Sequence, residues 1–293
     1  MRGGEMAEQE STMYKDMDPE QITRKFWLAD YLVDLVMMVL LGLVIIAAAW
    51  AANKGQFWAV IPATIVAFIV FIALQARQLR NFATLQGILM VDCDSQKMES
   101  VCKLSAKRTR KGAERNRFRT LHGMSMALNG KPEEALDVID IHEKLQAADA
   151  LNVKSVRACV YRMTGDVEAA EGMVNEVQAI HDGLPEKNPL KGAAGYLLAQ
   201  LDFQIALAKG DWETAEHALE HVENQAAAPE RLVEAAYSHA LLLDAQGKVD
   251  EARPHFEEVA AKGGTLILRD KAREWLDAHP GQLNLDQAEA AQA

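Results

Sequence analysis

The stretch LVMMVLLGLVIIAAAWAANKGQFWAVIPATIVAFIVFIALQA, residues 35–76, carries one charged side chain, Lys54, set in the break Asn53-Lys54-Gly55-Gln56. Leu35 to Asn53 is 19 uncharged residues and Gly55 to Ala76 is 22. At the helical rise each reaches roughly 30 Å, the thickness of one hydrocarbon core. The spacing predicts two membrane spans, about 32–53 and 57–76, entering and leaving on one side. A buried helical pair of a soluble protein would seldom omit charge over both full lengths.

The flanks set the expected orientation. Arg24 and Lys25 precede the first span, Arg77 and Arg80 follow the second, and Lys54 stands alone in the turn. Positive charge favours the cytoplasmic side, so both termini are expected in the cytoplasm and the hairpin in a plasma (inner) membrane. The first 20 residues contain Glu5, Glu8, Glu10, Asp16, Asp18 and Glu20 and no early apolar run, which excludes a cleavable signal peptide. Alanines recur every four residues near the turn, at Ala47 and Ala51, Ala48 and Ala52, and Ala59, Ala63 and Ala67. That spacing lets helices approach closely in lipid, although alanine is also simply common here. Asp34 and Arg77 should lie at similar depth near the boundary, where they either pair or reach water separately.

Outward from the hairpin, residues 1–17 lack periodicity and read as a disordered N-terminus. Asp18-Pro19-Glu20 supplies an N-cap, a first-turn proline and an acid suited to the helix dipole. Residues 18–91 thus form the hairpin with juxtamembrane helix, which Asp92-Cys93-Asp94 ends near Val91. Residues 92–114 are expected to be basic connecting helices, the first from Ser95 to Leu104.

Charge is unevenly distributed. Residues 101–119 carry 8 basic and 1 acidic side chains, whereas 120–293 carry 15 and 30. The acidic remainder would repel phosphates, which argues against nucleic acid as a partner. The band's candidate lipid ligands are Lys103, Lys107, Arg108, Arg110, Lys111 and Arg115, which could bind anionic headgroups or merely form a solvated helix face. Cys93, Cys102 and Cys159 form neither a CxxC nor an even framework, which suits a reducing compartment.

The second signal is a repeat. Gly130, Gly165, Gly210 and Gly247 each stand five residues before an alanine, Ala135, Ala170, Ala215 and Ala252. Glycine permits a left-handed helix end, the acids between favour the next N-terminus, and alanine lets the two helices cross closely. The glycines are 35, 45 and 37 residues apart, and the longest interval holds the linker His181-Asp-Gly-Leu-Pro185-Glu-Lys-Asn-Pro189. Seven before each glycine stand Gly123, Ala158, Phe203 and Ala240, and nine after stand Ile139, Val174, Leu219 and Phe256.

This pattern resembles the tetratricopeptide repeat, of period about 34 residues. Phe203 departs from the small residue expected there. The resemblance covers a repeat domain of residues 115–279, closed by a capping helix from Leu266 to His279, with 280–293 as a frayed tail. The expected fold is all-α, a two-helix transmembrane hairpin followed by an α-solenoid of helical hairpins. The resemblance implies a peptide-binding groove lined by the first helix of each pair. Counting from the glycines, its residues would be Arg117, Thr120, Met124, Asn152, Ser155, Cys159, Arg162, Gln200, Gln204, Glu234, Tyr237 and Leu241. Thr120, Met124, Ser155 and Cys159 occupy the positions where chaperone-binding members carry a lysine and asparagine clamp for a terminal carboxylate, so an internal, partly apolar segment is the expected ligand. The chain's own C-terminal helix is the competing occupant.

No phosphate-binding glycine loop, nucleophile elbow or kinase signature is present. His217 and His221 are one helical turn apart but lack a third ligand nearby in sequence, and Cys159 has no predictable histidine beside it. No enzyme activity, cofactor or metal is expected. The sequence reads as a bacterial-type membrane-tethered scaffold or adaptor for a membrane-associated protein partner. Competing readings are an anionic-lipid-responsive regulator and a subunit that assembles through Ala63 and Ala67 of the hairpin.

Overall fold

The computed structural model describes residues 12–55, 58, 60–106, 108–109, 112–141 and 145–280. The chain is helical, with twelve α-helices and no strand among the described residues. It divides into two compact units, residues 12–87 and the portion from Ile88 onward.

In the first unit α1 spans Pro19–Asn53, and α2, Val60–Met90, begins there. The α1 N-terminus forms as the sequence predicts: Asp18 Oδ1 accepts the Gln21 N–H at 2.8 Å and Pro19 takes the first position. Residues 12–17, expected to be disordered, instead make backbone turns, with Tyr14 buried and its ring 5.8 Å from the Lys25 ammonium. Both helices are long and apolar enough to cross a membrane. Leu41, Ile46, Trp50, Ile61, Phe68 and Ile69 are each more than half exposed. Exposed apolar side chains of this size mark surfaces that another protein or a membrane covers. Asp34 does not take Arg77 as its partner. The Gln78 amide donates to Asp30 Oδ1 at 3.1 Å and reaches Asp34 Oδ1 at 3.5 Å, so a neutral donor meets both carboxylates.

In the second unit four helical pairs follow one another. They are α4 (Ala113–Leu128) with α5 (Pro132–Ile139), α6 (Ala147–Thr164) with α7 (Val167–Gly183), α8 (Pro189–Lys209) with α9 (Trp212–Gln225), and α10 (Pro229–Ala245) with α11 (Val249–Lys262). Before them stands α3, Ser95–Ala106, and after them α12, Ile267–Ala278. The four turn glycines have φ between 70° and 75°, where a side chain would be strained. In each turn the residue after glycine donates its N–H to the carbonyl five residues back, at 2.9–3.0 Å, which closes the preceding helix. Ala135, Ala170, Ala215 and Ala252 are fully buried at the crossings. Asp166 and Asp211 cap α7 and α9 by accepting the Ala169 and Thr214 N–H groups. Phe203 is accommodated because its pocket is built from Ala206, Ala215 and Ala218 beside Leu219 and Leu242, so bulk moves from one helix to the other.

The first helices of successive pairs touch, α4 with α6 and α6 with α8, while α5, α7 and α9 each pack on the pair that follows. The second unit also joins its ends. Thr265 N–H donates to the Cys93 carbonyl at 2.9 Å, and Thr265 Oγ1 lies 3.1 Å from Asp94 Oδ1. Ser95 Oγ stands 2.5 Å from Asn129 Oδ1 and 3.0 Å from the Thr265 carbonyl oxygen. The Ile267 side chain packs over Gly130. The segment before α12 is thus bound to the segment before α3, about 170 residues earlier in the chain.

Glu99 holds α3 to the first repeat turn. Its carboxylate accepts from Lys103 at 2.7 Å, Asn129 at 2.6 Å and Lys131 at 2.8 and 2.9 Å, while its side chain is only 6% exposed. Burial pushes its pKa up, but these donors outweigh burial and hold it down at about 2. A depressed carboxylate stabilises the fold above its ordinary pKa near 4.5, and that contribution is lost as pH falls toward 2. Glu99→Gln is therefore expected to cost about 1–3 kcal/mol at pH 7, with the difference from the parent shrinking between pH 4.5 and 2 in thermal melts followed by circular dichroism.

Candidate binding groove

A helix presents one face every three to four residues, and α6 turns Leu151, Asn152, Ser155, Ala158, Cys159 and Arg162 toward a common cavity. α8 contributes Leu190, Ala193, Tyr196, Gln200 and Gln204 to it. α10 contributes Glu230, Arg231 and Glu234 from its first two turns, and Met124 and Met90 complete the wall. The cavity measures about 150 Å³.

Its floor is polar. Arg162 Nη2 donates to Glu234 Oε1 at 2.5 Å, joining α6 to α10 across 72 residues. Gln200 Nε2 donates to the other Glu234 oxygen at 3.2 Å, so that carboxylate is matched on both sides. The Arg231 guanidinium lies over the Tyr196 ring, 4.4 Å from its centroid. Glu230 is 5% exposed, and its Oε2 has no hydrogen-bond partner within the chain. Arg162 Nε and Gln204 Nε2 are likewise buried without a partner. Burial pushes the Glu230 carboxyl up to about 8, and the neighbouring Glu234 charge adds to this against the pull of Arg231 and Arg162. Burial acts against the Arg162 charge, but Glu234 outweighs it and keeps the guanidinium firmly protonated.

Eight of the twelve residues placed in the groove by counting from the glycines line this cavity: Met124, Asn152, Ser155, Cys159, Arg162, Gln200, Gln204 and Glu234. The other four do not. Thr120 is buried and donates to the Asn116 carbonyl of its own helix at 2.8 Å, and Arg117 is exposed. Tyr237 meets Phe256 edge-on at 5.9 Å, and Phe256 stacks on Trp275 at 4.2 Å. Leu241 is half-buried outside the cavity wall. The aromatic wedge thus takes the C-terminal half of α10 out of the groove. Helix α12 packs on α10 and α11, and none of its residues lines the cavity.

Tyr196, Glu230 and Arg231 were not anticipated. The signal for Glu230 was its i, i+4 spacing to Glu234, but an acid just after a helix-opening proline also reads as a dipole partner. Cys159 stands 3.7 Å from Arg162 Nη2, and burial pushes its thiol up to about 12, where little thiolate exists. The His217 and His221 rings are 5.0 Å apart edge-on.

The basic band is divided. Lys103 is engaged by Glu99, Arg108 is exposed, and Arg115 lines a separate small cavity with Phe118 and His122. Lys107, Arg110 and Lys111 lie outside the described residues. α3 ends at Ala106 and α4 begins at Ala113, and the described residues between them, Arg108, Thr109 and Gly112, are non-helical. No protein-family model matches the chain, and no curated protein matches it.

Proposed function

We propose that this chain is a membrane-tethered scaffold of the tetratricopeptide-like kind, whose groove over α6, α8 and α10 receives a peptide segment of a protein partner. The observation that carries this reading is the convergence of three helices from successive repeats on one cavity with buried, unmatched polar atoms. A groove that only packed against itself would be expected to match those atoms internally. The apolar surfaces of α1 and α2 support a membrane anchor. Arg24, Lys25, Arg77 and Arg80 outside the spans, with three free cysteines, support a cytoplasmic placement of the repeats. Only Val91–Asp94 separates α2 from α3, and tethering of this kind raises the effective concentration of the groove toward membrane-associated partners.

The test is selection of short peptides, from a random pool blocked at both ends, on the full chain in phosphatidylcholine nanodiscs. Selected peptides are expected to lose roughly tenfold or more in affinity when Ser155→Trp fills the cavity. Failure to select any peptide, or binding indifferent to Ser155→Trp, sinks the groove. Release of the native protein from membranes by alkaline carbonate sinks the anchor.

A further inference from the structure

One wall of the groove comes from outside the repeats. Met90 is the last residue of α2, the second of the two long apolar helices, yet it lines the same cavity as α6, α8 and α10. The end of that helix is firmly placed. Ile88 and Leu89 are buried, and the Asp94 N–H donates to the Ile88 carbonyl at 2.9 Å, which closes the helix. Cys93 takes a left-handed φ of 51°, uncommon for a residue with a side chain, and its carbonyl accepts the Thr265 N–H. Met90 itself stays half-buried, as does Met124 of α4.

The charged groups of the cavity are engaged with one another. Arg162 pairs with Glu234, and Arg231 is held on the Tyr196 ring. Burial pushes the Glu230 carboxyl up to about 8, so it is mostly uncharged at neutral pH and offers a basic ligand no counter-charge. An acidic ligand is opposed by the wider domain, since residues 120–293 hold 15 basic and 30 acidic side chains. The apolar lining that is not buried is Met90, Met124, Ala148, Leu190 and Ala193. Methionine is unbranched and polarisable, so a pair of them moulds to apolar side chains of different shape.

We propose that the groove anchors its bound segment by one apolar side chain, leucine, methionine or phenylalanine, and that Met90 of α2, with Met124, is the wall that receives it. This rests on the peptide-groove reading and specifies its ligand. It also makes the end of α2 part of the binding site, so the repeats hold their partner fully only while joined to that helix.

The experiment uses the selected, end-blocked peptides and the full chain in phosphatidylcholine nanodiscs. One position is expected to be leucine, methionine or phenylalanine in most selected sequences, and replacing it with alanine should weaken binding roughly tenfold or more. Affinity should change less than about threefold between roughly 0.05 and 0.5 M salt, because no exposed ion pair contributes to it. A shared charged position, or a steep fall of affinity with salt, overturns the apolar anchor while leaving the groove itself standing. Met90→Ala should weaken the parent peptides about fivefold, but the alanine-substituted peptides less than about twofold, since the partner of Met90 is then already gone. Equal losses for both kinds of peptide overturn the assignment to Met90. Photo-leucine at the anchor position tests the same contact without altering the protein: it should cross-link to the tryptic fragment 81–97, which carries Met90. Cross-links confined to other fragments also overturn that assignment.

Discussion

Arg162→Leu is expected to destabilise the repeat domain by about 3–5 kcal/mol, because it strands Glu234 in a site that leaves its side chain 7% exposed. Gln200 would remain as one donor to the stranded carboxylate. For a unit of this size the melting midpoint should fall by roughly 10 °C, as read by circular dichroism at 222 nm. The companion variant Arg162→Met with Glu234→Leu should recover at least half of the loss, since an apolar pair of similar volume carries no desolvation cost. The contrast matters for function. If the ion pair only held α6 to α10, the double variant would restore stability and peptide binding together. A groove that also uses Arg162 in binding would regain stability and stay deficient in binding. An unchanged midpoint in Arg162→Leu would mean that Glu234 finds water or another cation, and that the floor is open.

The parts of this architecture that could be read from the sequence are those fixed by local chemistry. The turn glycines, the alanines at the crossings and the Asp18 cap depend on a few neighbouring residues, and each appears where spacing placed it. The two long apolar helices follow from length and absence of charge alone. Counting from the glycines picked cavity-lining positions on α4, α6 and α8 and Glu234 on α10. It missed for Tyr237 farther along α10, because Phe256 and Trp275, from other helices, form an aromatic cluster with it. Phe203 was the reverse case: an irregular residue looked disruptive, but alanines on the facing helix absorb it. Nothing local could have revealed the bond between Thr265 and Cys93, since the two lie 172 residues apart in the chain.

Gly264→Ala should be the most damaging single change at that closure. A Cβ there would lie 2.4 Å from the Cys93 carbonyl oxygen and 2.9 Å from Cys93 Cβ, closer than real contacts allow, and Gly264 has φ of 54°. The left-handed conformation alone costs about 1–2 kcal/mol for alanine. Gly165→Ala isolates that term, because φ there is 71° and a Cβ meets nothing within 4 Å. The expected cost of Gly264→Ala is about 2–4 kcal/mol, the excess over Gly165→Ala measuring the displaced contact between chain segments. Hydrogen exchange separates local from global loss: in Gly264→Ala the Thr265 amide, which donates to Cys93, should lose protection before the amides of α8 do. Equal costs for the two glycines would mean that the ends are not held together. Unequal costs would make the closure a constraint on the groove, because α10, which Arg162 and Glu234 join to α6, packs on α12 just beyond the Thr265 contact. In that case Gly264→Ala, at a residue that does not line the cavity, should also weaken the selected peptides.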